Sequence, residues 1–129
     1  MYAPAHLSNS PMYRKALDIF NLSASISDYI GEDLAPLNQD GVEDINVYFS
    51  GDIIKYSNAL APHILQAEMA SFSDHKYKHA NLVRQLTNKL YLSCKKLERC
   101  NSNGRDYIPV LRQELKKFRK LQRTWFLTL

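Results

Sequence analysis

Apolar residues recur at spacings of three and four along almost the whole chain, and little interrupts them. Ala16, Ile19, Phe20, Ser23, Ile26 and Ile30 form one such stripe; Ile45, Phe49, Ile53, Tyr56, Leu60, Ile64 and Ala67 form a second. His79, Val83, Leu86, Leu90, Cys94 and Leu97 form a third, and Ile108, Leu111, Leu115, Phe118, Gln122 and Trp125 a fourth. A residue three or four places on returns to the same face of a 3.6-residue helix, so each stripe is the buried face of one helix. Only four Gly and five Pro occur in 129 residues, and no strand-like alternation competes. Four amphipathic helices with short polar turns pack most simply as an all-α, antiparallel up-and-down four-helix bundle. The length suits one domain, and 45% hydrophobic residues is too many for general disorder.

Local signals set the expected boundaries. Residues 1–10 read as a flexible lead-in. Ser10 is a candidate N-cap, and Pro11 suits the first helical position, where a missing N–H costs nothing. The first helix is expected over about 11–30, stopped by Gly31, and residues 31–41 form an acidic connection. The second helix is expected over about 42–70, with its start near Asp40 or at Ser50. Pro62 falls inside it and predicts a kink. A turn at Ser71–Ser73, with Ser73 as cap, leads to a third helix over about 74–100. Asn101-Ser102-Asn103-Gly104 then stops the chain before a fourth helix over about 106–127, whose first turn tolerates Pro109.

Several function classes find no support in the residues. No apolar run approaches the ~18 residues of a membrane helix, and the N-terminal residues lack the pattern of a signal peptide, so no membrane is expected and the cytoplasm is the expected setting. Cys94 and Cys100 lie six residues apart on one helix, about 9 Å along its axis and on different faces, which suits two buried thiols rather than a disulfide. His75 and His79 share a helical face beside Asp74, and His63 and Glu68 precede the turn, but a metal site needs three or four converging ligands that spacing does not supply. The carboxylate pairs Glu32-Asp33 and Glu43-Asp44 sit at loops, without the burial that would separate their pKa values. Glu-x-x-His, G-x-S-x-G, phosphate-loop and dinucleotide motifs are absent. No enzyme activity and no cofactor are expected.

Charge is the informative feature. Residues 1–60 carry three basic against eight acidic side chains, a balance of −5; residues 61–129 carry fourteen against five, a balance of +9. This asymmetry admits a polyanion-binding half, or two surfaces that attract each other between subunits. On the fourth helix Arg112, Lys116, Arg119, Lys120 and Arg123 fall at i, i+4, i+7, i+8 and i+11, a continuous stripe flanked by Lys117. Lys95, Lys96 and Arg99 end the third helix and lead through a turn to Arg105. Glu114 is the only acidic residue within 107–129, so intrahelical pairing cannot absorb the stripe. Such a ridge can neutralise phosphates of an RNA or DNA backbone without reading bases, since no aromatic residue is interleaved in it in a way that suggests base stacking. At the C-terminus a lone bundle would bury Trp125 and one neighbour. Phe126, Leu127 and Leu129 are then surplus, and suggest a subunit or partner contact.

With the helices placed, the order of segments resembles the four-helix-bundle family of 23S ribosomal-RNA intervening-sequence proteins and the accessory variability proteins of diversity-generating retroelements. Tyr13-Arg14-Lys15-Ala16-Leu17-Asp18-Ile19-Phe20 is similar to that family's opening Tyr, basic pair, Ala/Leu and aromatic. Gly51-Asp52-Ile53-Ile54-Lys55 resembles the start of its second helix. Ala61-Pro62 with Ala67-Glu68, and Ser93-Cys94-Lys95-Lys96-Leu97-Glu98, resemble two later stretches, though Met69 stands where the family has Gly. The resemblance implies a basic, non-enzymatic homopentamer; in the retroelement branch it implies a protein that binds nucleic acid and a reverse transcriptase. The expected function is a nucleic-acid-binding accessory protein. The alternative is an oligomeric protein-interaction scaffold with no nucleic-acid role.

Overall fold

The computed structural model describes residues 10–36, 41 and 44–129. The lead-in 1–9 and Asp40, one expected start of the second helix, lie outside them. Four α-helices are present: α1 Pro11–Asp33, α2 Ile45–Met69, α3 Ser73–Leu97 and α4 Ile108–Thr128, with a 3-10 turn at Asn103–Tyr107 before the last. Each helix packs on the next and α4 closes back on α1, the arrangement of an up-and-down bundle. No described helix is long and apolar enough to cross a membrane.

The core is built from the anticipated stripes. Ile19, Ile30, Ile53, Leu60, Ile64, Val83, Leu90, Leu97, Leu111, Leu115 and Phe118 are fully buried. α2 and α3 make the most extensive contact, and small residues are buried along both, Ser57, Ala61 and Ala67 on α2 and Ala80 and Ser93 on α3. Buried hydroxyls are satisfied locally: Ser57 donates to the Ile53 carbonyl at 2.5 Å and Thr87 to the Val83 carbonyl at 2.8 Å. Between α1 and α2, Ser27 donates to Ser50 at 3.3 Å.

Several expected boundaries are corrected. Gly31 does not stop α1; with a helical backbone and open space around it, it is carried through to Asp33. Ser50 lies buried within α2, and the cap is Asp44, whose carboxylate accepts from the Asn46 N–H at 2.8 Å. α2 runs from Ile45 to Met69 through Pro62, which is exposed, so water can take the Asn58 carbonyl that proline leaves unbonded. Ser73 is the first residue of α3 and not its cap, which is Phe72. Lys76 Nζ instead caps the preceding helix, donating to the carbonyls of Ala67 and Glu68 at 3.3 and 3.4 Å. α3 ends at Leu97, not Cys100: tighter bonds from Arg99 N to Lys96 O and from Cys100 N to Leu97 O wind its end into a turn.

The loop that follows fixes how α4 returns. Ser102 accepts from Gly104 N at 3.0 Å, and Asn103 N donates to Asp33 at 3.2 Å, which ties the loop to the end of α1. A Cβ on Gly104 would stand 2.6 Å from Ile30 Cγ1, so only glycine permits this approach. α4 is thereby laid antiparallel to α3, and some of the basic residues of both helices come to line one face.

Candidate polyanion-binding face

α3 and α4 meet in register along a long groove. Glu98 faces Arg112 at one end, Asn88 and Tyr91 face Arg119 in the middle, and Tyr77 meets Phe126 at the other end. From Arg112 to Phe126 the face extends about 21 Å at 1.5 Å per residue.

The ten basic residues singled out in the sequence do not all share this face. Arg112 Nη1 lies 2.8 Å from Glu98 Oε1, a neutralising pair that the intrahelical count on α4 missed because its carboxylate belongs to α3. Lys117 turns away toward α1, where Glu114 lies between it and Lys15. The hydrogen bond from Lys15 is the main reason that the Glu114 carboxyl is held below its ordinary range. Lys96 also leaves the groove, standing 4.8 Å from the Phe49 ring on the α2 side. Arg105 donates to the Cys100 carbonyl at 3.2 Å and braces the turn, and Arg99 is exposed. Lys116, Lys120 and Arg123 form the exposed crest of α4, and Lys95 is exposed on α3. Apart from Arg112 and Lys117, none of the ten has a carboxylate within 4 Å among the described residues.

Arg119 is placed by neutral groups. Its Nη2 donates to Asn88 Oδ1 at 2.6 Å, and its guanidinium lies 4.0 Å from the centre of the Tyr91 ring. That ring's hydroxyl has a raised pKa, chiefly from burial, which the Arg119 charge partly offsets. One turn on, Arg84 of α3 lies 4.8 Å from the centre of the Phe126 ring. Arg84, Asn88, Arg119, Gln122 and Arg123 together line a shallow concavity of about 290 Å³. Two aromatic rings do stand beside the stripe, Tyr91 and Phe126, each with a guanidinium group over it. Arg84 was missed. Its signal was that Arg84, Asn88, Tyr91 and Lys95 fall at i, i+4, i+7 and i+11 of the facing helix.

The apolar C-terminus is less surplus than expected. Trp125 is buried, Phe126 packs between Arg84 and Tyr77, and Leu129 is half-buried against the core; Leu127 alone of the four is free, at 85% exposure. Both cysteines are buried free thiols, and burial, with Glu98 nearby, pushes Cys94 up to about 12. His79 does not pair with His75. It stacks on His63, with the two Nδ1 atoms 3.0 Å apart, within hydrogen-bond reach. Burial first, then the charges of His63, Lys78 and His75, lower its pKa. Among the described residues no three His, Cys, Asp or Glu side chains converge as metal ligands. Comparison of the chain with known protein families, with curated proteins and with solved structures finds no match.

Proposed function

We propose that this chain is a non-enzymatic accessory protein that binds the phosphate backbone of RNA or DNA along its α3–α4 face, without reading base sequence. One observation carries the reading: the cations of this face, Arg112 apart, have no carboxylate partners among the described residues, while the sole acidic side chain of α4 is drawn off to Lys15 on α1. Unneutralised charge on a fixed helix face releases counterions when it meets a polyanion, and that gain does not depend on sequence. The exposed crest of Lys116, Lys120 and Arg123 offers contacts to successive phosphates. The resemblance to the intervening-sequence and retroelement accessory proteins extends the reading to a cytoplasmic homo-oligomer, a pentamer, acting beside a reverse transcriptase.

The test is Lys116→Glu with Lys120→Glu, two exposed side chains whose replacement leaves the core untouched. Binding to a labelled single-stranded RNA should be lost at low salt with helicity unchanged. Retention at wild-type affinity would count against the proposal.

A second reading is favoured by the opposed charges of the two halves, −5 and +9. In it, the basic face meets the acidic face of a neighbouring copy in a scaffold. Assembly that dissolves as salt rises, with no RNA retained at any salt, selects the scaffold.

A further inference from the structure

The concavity between α3 and α4 gathers several donors around few acceptors. Three guanidinium groups border it, from Arg84, Arg119 and Arg123, and the sole side-chain acceptor among its lining residues that is seen bonded, Asn88 Oδ1, is already taken by Arg119. Each guanidinium carries five N–H donors, so Arg119 retains four after that bond. Gln122, only 5% exposed, also lines the concavity, and its Nε2 finds no hydrogen-bond partner among the described residues. No carboxylate comes within 4 Å of the three arginines among those residues. Arg84 and Arg123 are exposed and Arg119 half-buried, whereas Gln122 is buried, and a buried donor without an acceptor is costly unless a ligand supplies one.

Two of the arginines are also held in place beforehand. Arg119 rests on Tyr91 and Arg84 on Phe126, at 4.0 and 4.8 Å from the ring centres. A guanidinium laid on a ring keeps its edge donors free and has less rotamer freedom left to lose on binding.

We propose that this concavity is a seat for one phosphate group of a nucleic-acid strand, gripped from α3 by Arg84 and from α4 by Arg119 and Arg123. The inference rests on the polyanion reading and narrows it to a site: one phosphate is held by planar forks, and its neighbours along the strand run over the crest of Lys120 and Lys116. Phosphate fits better than a protein carboxylate because it offers more acceptor oxygens to several forks at once, and because the crest beside the seat continues the same charge.

The experiment measures binding of a labelled single-stranded RNA by fluorescence anisotropy across a salt series. Arg84→Gln should weaken binding roughly tenfold at low salt and reduce the slope of log K against log salt by about 0.7, the share of one single-strand phosphate contact. Arg84→Lys should restore the slope, since the charge returns, but not the affinity, since the fork does not. Polyglutamate at equal charge should fail to displace the RNA. Should Arg84→Gln melt early, Arg123→Gln, exposed and free of ring contacts, carries the same expectation. Wild-type affinity in Arg84→Gln or Arg123→Gln, while Lys116→Glu/Lys120→Glu loses binding, overturns the seat and leaves the crest. Full rescue by Arg84→Lys, or displacement by polyglutamate, overturns the phosphate fork. No binding by the wild type overturns the seat and the polyanion reading together.

Discussion

Arg112 and Arg119 stand seven residues apart on the same face of α4, both half-buried and both turned toward α3, yet their circumstances are opposite. Arg112 meets the carboxylate of Glu98 at 2.8 Å; Arg119 meets the amide of Asn88 at 2.6 Å and the ring of Tyr91. The first contact cancels the charge, and the second positions it without cancelling it. The cationic potential that a helix offers a ligand thus depends less on how many arginines it carries than on what holds each one.

The most damaging way to break the comparison is to remove the core beneath α4. Phe118 is fully buried, and Phe118→Ala should cost about 3–5 kcal/mol in denaturant unfolding, disordering both ends of the groove together. A loss below about 1 kcal/mol would mean that α4 does not depend on this side chain for its seat on the bundle. Next in size is Asn88→Asp, which gives Arg119 the kind of partner that Arg112 has. Nucleic-acid affinity should fall several-fold with the salt slope about 0.7 shallower, while stability stays within about 1 kcal/mol. The reciprocal change, Glu98→Gln, frees Arg112 and should steepen the slope by no more than that amount. If both swaps leave binding unaltered, the distinction between cancelled and positioned arginines has no functional meaning.

Much of the bundle was legible in the sequence, because the buried faces repeat at helical spacing; Leu111, Leu115, Phe118, Gln122 and Trp125 are buried as that spacing requires. Helix ends were less legible. Gly31 and Ser73 have residue types favoured at termini, but α1 runs past Gly31 to Asp33, and Ser73 begins α3 with Phe72 in the capping position. The candidate face was legible only along α4. Arg84, Asn88 and Tyr91 matter because antiparallel packing brings α3 against α4, and Glu98 cancels Arg112 for the same reason. Spacing along one helix contains no record of what the facing helix presents.

Smaller effects come from pH. The salt slope of binding should be the same at about pH 8 and 6, since a guanidinium group in general is protonated at both. The bundle should not keep its stability further into acid. His79 has a folded pKa below its ordinary 6.5, so the unfolded chain takes up the proton first; the stabilisation is complete above 6.5 and is lost as pH falls through the lowered value. Glu114, held below its ordinary 4.5, adds a loss of the same sign at lower pH. Thermal melts against pH should show His79→Gln flattening the upper limb and Glu114→Gln the lower; melts unchanged in both variants would dissociate these groups from acid stability. The smallest effect lies under the cancelled end. Cys94, buried and pushed up to about 12, should remain unreactive toward a thiol reagent at neutral pH until the protein unfolds. Rapid labelling of the native protein would show that this end of the groove opens.

The central claim is that the cations of the α3–α4 face are available to a polyanion. The direct measurement is the salt dependence of binding to a labelled single-stranded RNA, for the wild type and for Lys116→Glu/Lys120→Glu. The wild type should bind tightly at low salt with a steep negative slope, and the double variant should show a slope shallower by about 1.4 or more. Absence of binding by the wild type at low salt, or identical slopes for the two proteins, would contradict it.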